Sequence, residues 1–149
     1  MEMNITLRKI TQDNWRECIA LKVRNDQKRF VASNENTLAL SYVYPEMNPL
    51  AIYLDENIIG LITHALDPDD NIYYINRFMI DENYQGKGYG TKALSLLLEE
   101  LKNDGVKVLD ILHKPDNHSA IKLYKSLGFE LTDVKVGDDS VSTLIISAN

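Results

Sequence analysis

A single cysteine, Cys18, stands among the 149 residues. An internal disulfide and a cysteine-based metal cluster are therefore excluded. No apolar run approaches the roughly 18 residues needed to cross a bilayer as a helix. Basic side chains are outnumbered, 16 against 22 acidic, for a formal charge of −6 at pH 7. That balance disfavours general nucleic-acid binding, whose affinity comes from clustered Lys and Arg on phosphate. The start, Met1-Glu2-Met3-Asn4-Ile5-Thr6, has no basic segment followed by an apolar one, so no secretory signal is expected and the cytoplasm is the expected location. Four prolines and seven glycines are scattered, and no linker, repeat or low-complexity stretch interrupts the chain. One domain over 1–149 is expected, long enough to bury a core without staples.

What is present is a clear change of period along the chain. Ile5 to Ile10 alternates as a first strand. Thr11 or Asp13 can cap the helix that follows, with Trp15, Cys18, Ile19 and Val23 on its core face. Thr37 to Tyr44 reads as a second short helix, ended before Pro45. Leu50 to Leu54 and Ile58 to Leu66 flank Asp55-Glu56-Asn57 as a hairpin. Pro68 to Asn71 is a turn cluster, and Ile72 to Ile80 a long strand. Thr91 to Asn103 is a strong helix, because Leu94, Leu97, Leu98 and Leu101 fall on one stripe, and Gly105 is its stop signal. Val106 to Leu112 is a strand, and Asn117 to Leu127 a helix stopped by Gly128. Phe129 to Val136 and Ser140 to Ile146 form a last hairpin, with a bulge expected where the apolar phase slips between Leu131 and Val134. The order β-α-α-β-β-β-α-β-α-β-β implies an α/β mixed sheet with helices on both faces and a parallel crossover around the Thr91 helix.

The sharpest local feature is Gln85-Gly86-Lys87-Gly88-Tyr89-Gly90-Thr91, which joins a strand to a helix. Glycines admit positive φ and close ligand approach. The free amides of the first helical turn carry partial positive charge. Together they form an anion cradle suited to phosphate, and Lys87 adds a mobile charge. The dinucleotide fingerprint fails, since Thr91 stands where its third glycine belongs. The ATP-type loop fails because no Lys follows Gly90.

Gln85-x-x-Gly88-x-Gly90 between strand and helix resembles the pyrophosphate-binding motif of the GNAT superfamily of N-acetyltransferases. Asn117-x-x-Ala120-x-x-x-Tyr124-x-x-x-Gly128-Phe129 resembles a second motif of the same superfamily. The element order matches that fold over nearly the whole chain. Within the superfamily, Arg77-Phe78-Met79-Ile80-Asp81-Glu82-x-Tyr84-Gln85-Gly86-Lys87-Gly88, and more weakly Gln27-x-x-Phe30-Val31, resemble bacterial spermine/spermidine acetyltransferases. The resemblance implies a twisted mixed sheet of about seven strands flanked by about four helices. It implies acetyl-CoA as cosubstrate and no metal. The strand ending Phe78-Met79-Ile80 would splay from its neighbour, with main-chain groups of Phe78 and Ile80 bonding the pantetheine arm. The amides of Gln85, Gly86, Lys87, Gly88, Tyr89, Gly90 and Thr91 would hold the pyrophosphate. Asn117 would touch the arm and Tyr124 would sit by the sulfur. The acceptor would be a small amine, with spermidine or spermine leading and a protein N-terminus, amino acid or drug as the alternative. A non-catalytic acyl-CoA sensor is the rival outside the enzyme class, and a homodimer is common among look-alikes. One departure is visible: an acidic residue of the relatives is replaced by Asn76, so no strand carboxylate stands as a general base.

The chemistry fits these residue types. A lysine-like amine with pKa about 10.4 is neutral to less than roughly 10⁻³ at pH 7, so losing its proton costs about 4–5 kcal/mol. A phenol with pKa near 10 is protonated at pH 7, as an acid for a leaving thiolate must be. Strand-end amides, including that of Met79, suit the thioester oxygen as it gains charge. An acidic cleft would gather a polycation; Glu35, Glu46, Asp67, Asp69 and Asp70 are its candidate lining. His64, His113 and His118 lack ligand spacing and are expected in solvent or loop roles. Cys18 is expected as a buried small hydrophobe.

Overall fold

The β-rich runs all join one sheet, and the computed structural model describes residues 4–146 of it. The end positions of the expected domain, 1–3 and 147–149, lie outside the described residues. In chain order the elements are β1 (Ile5–Lys9), α1 (Trp15–Ala20), α2 (Asn34–Val43), β2 (Met47–Leu54), β3 (Asn57–Leu66), β4 (Tyr73–Ile80), α3 (Tyr89–Asn103), β5 (Val108–His113), α4 (His118–Ser126), β6 (Glu130–Val136) and β7 (Asp139–Ile145). Single 3₁₀ turns occupy Asn25–Gln27 and Glu82–Tyr84. The strands run in the order β1-β2-β3-β4-β5-β7-β6. Only β4 and β5 pair in parallel, across the α3 crossover, as the sequence implies.

Apolar periodicity decides which helix covers which face. Ala93, Leu94, Leu97 and Leu101 of α3 are at most 2% exposed and pack with Ile52, Ile62, Ile75, Leu109 and Ile111 of the sheet. Tyr124 of α4 and Phe129 complete that core. Cys18 of α1 covers the opposite face against Leu61 and Met79, with Leu21 and Val23 packed beside them. The slip expected in β6 is present: the register with β7 shifts between Leu131 and Lys135.

Several boundaries differ from expectation, each for a local reason. Neither Thr11 nor Asp13 caps α1. Asn14 stands at the cap, and its side chain turns back to accept from the Thr11 amide at 2.7 Å and to donate to the Lys9 carbonyl and the Tyr53 hydroxyl. Trp15 is 37% exposed rather than in the core, because α1 is only six residues long. Helix α2 starts three residues before Thr37, where the Ser33 hydroxyl accepts from the Asn36 amide at 3.2 Å and caps the end. Helix α3 starts at Tyr89, two residues before Thr91, because Gly88 adopts φ 84° as its N-cap. Strand β2 begins at Met47, strand β5 at Val108 rather than Val106, and α4 spans His118–Ser126 with Asn117 as its cap. Of the histidines, His64 lies within β3 and His113 ends β5 with 5% exposure, so neither occupies a loop.

Candidate active site

Strand β4 carries the site because its neighbours release it halfway. Its parallel pairing with β5 runs Tyr73 to Leu109, Tyr74 to Asp110 and Ile75 to Ile111, and then stops. On the other side the register with β3 shifts between Thr63 and His64, so Arg77 faces Thr63, Ile75 faces His64, and Asn76 is the extra residue of a bulge. A bulge bends its strand and leaves backbone groups unpaired. Beyond Ile75 no β5 residue pairs with β4, so Phe78 and Ile80, which alternate with the β3-bonded Met79, turn their main-chain groups to the open side.

The gap opens into a cleft of about 720 Å³. Its floor is Asn76 to Ile80, and one end is the glycine loop, where Gln85, Gly86, Gly88, Tyr89, Gly90 and Thr91 all line the wall. Leu112, His113 and Lys114 from the end of β5 form the second wall, with Asn117, Ala120, Leu123 and Tyr124 of α4. The segment after α1, including Arg24, Gln27, Arg29 and Phe30, forms the roof. Eleven of the twelve site residues expected from sequence thus meet in one cavity. Lys87 does not: the positive φ of Gly86 (76°) and Gly88 (84°) on either side turns it to solvent at the loop tip.

Geometry fits the loop to an anion. A Cβ placed on Gly86 or Gly88 would meet no atom within 4 Å, so the space beside this backbone is open. Gly88 caps α3, and the amides of Gly90 and Thr91 in the first turn have no carbonyl four residues back within the helix. Gln85 holds the loop in place: its Nε2 donates to the Ile80 carbonyl and to Gln27 Oε1, each at 2.8 Å. Asp81 ties the same turn to the end of α1 by accepting from the Lys22 amide at 2.8 Å and the Asn83 amide at 3.1 Å.

Tyr124 sits at the middle of the cleft, 5% exposed. Its ring lies 5.7 Å from His113, 5.9 Å from Phe129 and 6.5 Å from Phe78. Burial drives its phenol well above the ordinary value near 10, so the hydroxyl keeps its proton throughout the neutral range. His113 has both nitrogens engaged, Nε2 with the Ser142 hydroxyl at 2.8 Å and Nδ1 with the Lys114 carbonyl at 3.2 Å. A carbonyl only accepts, so Nδ1 carries hydrogen, while the Ser142 hydroxyl, which can donate or accept, meets Nε2. Asn117 uses Oδ1 to cap α4 by accepting from the Ala120 amide at 3.3 Å, which leaves its Nδ2 as the donor toward a ligand.

The charges on the wall were not foreseen. Arg24, Arg29, Arg77 and Lys114 line the cleft, with Asp139 as the one carboxylate among the described lining residues. Lys114 pairs with Asp139 at 3.0 Å and Arg29 with Asp116 at 2.6 Å. The expected acidic lining is elsewhere. Glu46, Asp67 and Asp70 act on Tyr74, whose phenol is raised by burial first and by these charges second. Glu35 lines a separate pocket of about 310 Å³ between α1 and α2. Neither Asp69 nor these four lines the cleft.

A family model described as the acetyltransferase (GNAT) family matches residues 7–129. The chain is 30% identical to the spermine/spermidine N(1)-acetyltransferase of Bacillus subtilis (strain 168), over 86% of this chain and 89% of that one. It is 38% identical to the ribosomal protein bS18 alanine N-acetyltransferase of Escherichia coli (strain K12), over 70% of this chain and 64% of that one. The PaiA N-acetyltransferase of Thermoplasma acidophilum, solved in complex with coenzyme A, superposes with a TM-score of 0.71 at 18% identity, covering 96% of this chain and 99% of that one.

Proposed function

The chain belongs to the acetyltransferase (GNAT) family, and from that premise we propose that it transfers the acetyl group of acetyl-CoA to a primary amine by direct attack in a ternary complex. The observation that carries this reading is the release of β4 from β5 after Ile75, with an anion cradle at one end of the gap and a buried, protonated phenol within it. In this reading the main chain of Phe78 and the Ile80 amide, on the edge of β4 that lacks a strand partner, bond the pantetheine arm as a missing strand would, the Ile80 carbonyl being held by Gln85. The amides from Gln85 to Thr91 hold the pyrophosphate. Asn117 Nδ2 donates to the arm. The Met79 amide faces β3, as the Asp81 amide does in donating to the Ile59 carbonyl, so an amide on the open edge of β4 polarises the thioester carbonyl while the neutral amine attacks its carbon. As the C–S bond breaks, Tyr124 gives its proton to the departing sulfur and recovers one from the acylated nitrogen through water.

Two acceptor classes follow from the relatives. A polyamine is supported by the name of the B. subtilis relative and by the net charge of −6. The α-amine of a protein is supported by the name of the E. coli relative and by a cleft wall that carries four cations and one carboxylate among the described residues. A homodimer is part of the same proposal; the half-exposed Leu131, Val134 and Val136 on edge strand β6 are apolar surface that a second copy would cover. Free thiol release from acetyl-CoA, measured with spermidine, amino acids and peptides, tests the function. Release that depends on an added amine is the expected result, and tight acetyl-CoA binding with no release from any acceptor points to a sensor instead.

A further inference from the structure

The vertex of the cleft, where β4 parts from β5, holds a pair of polar groups that the transfer step does not use. Asn76 Oδ1 and Arg77 Nε are both buried and lack a hydrogen-bond partner. Both residues line the cleft. Arg77 shares a face of the sheet with Met79, since they oppose Thr63 and Leu61 on β3, and Asn76 reaches Met47 Sδ on β2 with its Nδ2 at 3.8 Å. The Arg77 guanidinium donates from Nη1 to the Asn76 carbonyl at 2.8 Å. No carboxylate lies within ion-pair distance of it among the described residues. Buried donors and acceptors are rarely left unpaired, because each that is costs its lost solvation, so a partner that meets these two is favoured.

The surroundings set what kind of ligand. From α4 and β5 the titratable groups facing this space are Tyr124, whose phenol stays neutral, and His113, whose two nitrogens are engaged. Lys114 is paired with Asp139. The roof adds Arg24 and Arg29, and Tyr84 and Tyr89 stand by the glycine loop. On β3, His64 has a buried, unpartnered Nδ1, and burial lowers its proton affinity. Glu46, Asp67 and Asp70 gather near Tyr74 outside the cleft. An ammonium entering the vertex therefore meets a neutral amide beside an unpaired guanidinium. A neutral amine instead donates N–H to Asn76 Oδ1 and keeps its lone pair for attack.

Resting on the acetyltransferase reading, we propose that Asn76 and Arg77 select acceptors that are α-amines, with Asn76 Oδ1 receiving the amine N–H and Arg77 Nε–H donating to the carbonyl or carboxylate oxygen on the adjacent carbon. Amino acids and peptide N-termini share that chemistry; polyamines lack the oxygen. The preference has a second source. The α-amine of a peptide N-terminus, with pKa about 8, is roughly 10% neutral at pH 7, against roughly 0.04% for an amine near 10.4, a factor of about 250. Asn76 cannot take up a proton, so the enzyme draws on whatever neutral amine the solution supplies.

The test is thiol release at saturating acetyl-CoA from an alanyl peptide amide, free L-alanine and spermidine, between pH 6.5 and 9.5. We expect kcat/KM at pH 7 to be roughly 10²-fold higher for the peptide amide than for spermidine. Whichever of the peptide amide and free L-alanine is better tells whether Arg77 meets a carbonyl or a carboxylate. Asn76→Asp should narrow the preference by about tenfold or more, since a carboxylate there accepts an ammonium and pairs with Arg77. Arg77→Gln should raise the KM for the α-amine and lower that for spermidine, which loses a like-charged neighbour. Spermidine turnover equal to or above that of the peptide overturns the proposal and leaves the acetyltransferase reading intact. A preference unmoved by Asn76→Asp overturns it as well. Thiol release with no acceptor sinks both readings.

Discussion

At Tyr124 two demands meet in one side chain. The residue fills the core stripe of α4, packed against Phe78, His113 and Phe129, and it also faces the cleft. Burial serves both, since the same loss of water that rewards the ring raises the phenol and keeps its proton on. In the proposed reaction the acid form is the active one, so a raised value holds activity as pH rises, and no alkaline loss from this group is expected below about pH 10. Tyr124→Phe keeps the ring contacts and should fold normally, while kcat falls roughly 10²-fold at every pH between 7 and 9 and acetyl-CoA affinity holds. Steady-state kinetics with a binding titration would check this; unchanged kcat would leave the residue a packing aromatic only. Whether Tyr124 is a core aromatic or an acid is not visible in helical spacing, because both uses put it on the same stripe. Its place in the cleft separates them.

At the scale of elements, β4 depends on how closely β3 approaches it. Gly60 of β3 opposes Ile80, and a Cβ there would stand 2.5 Å from the Met79 carbonyl oxygen and 3.0 Å from Ile80 Cδ1. Backbone cannot yield cheaply to such a contact. Gly60→Ala should destabilise the fold by about 1–3 kcal/mol in urea unfolding and raise the KM for acetyl-CoA by displacing the strand that the arm pairs with. Unaltered stability and KM would mean that the two strands have slack. Nothing in the local sequence marked Gly60, because its constraint comes from a neighbouring strand. The loop glycines differ: Gly86 and Gly88 needed positive φ for the turn itself, and their spacing at a strand–helix junction was visible. The start of α2 was hidden for another reason. It carries little apolar periodicity and is held by the Ser33 cap and by Asn34, whose Nδ2 donates to the Cys18 carbonyl at 2.8 Å.

Over the whole molecule, the sheet is two blocks joined at a seam of three residue pairs. β1 to β4 form one block and β5 to β7 the other. A ligand that fills the gap beyond the seam replaces missing strand contacts and couples the two. Coenzyme A at 100 times its Kd should raise unfolding free energy by about 2.7 kcal/mol. Hydrogen exchange at the β4 amides from Asn76 to Ile80 should slow in the same sample. Stabilisation without that protection would place the ligand elsewhere on the protein. Two side-chain links also cross the mouth of the gap, Gln27 to Gln85 and Arg29 to Asp116, so the segment after α1 is tied to both blocks.

Local sequence was enough for the order of elements, the parallel crossover, helices on both faces of the sheet and the glycine loop at the strand–helix junction. All of these arise from neighbours within one segment, where period, caps and φ preference act. The tertiary structure alone decided where β4 leaves β5, which charges surround the gap, and that Asn76 and Arg77 stand unpaired at its vertex. Arg24, Arg77 and Lys114 come from three separate stretches of chain, and no local pattern links them. The net charge of −6 belongs to the whole surface, whereas the cleft is cationic, because folding sorts charges by place and a sum over residues keeps no record of place.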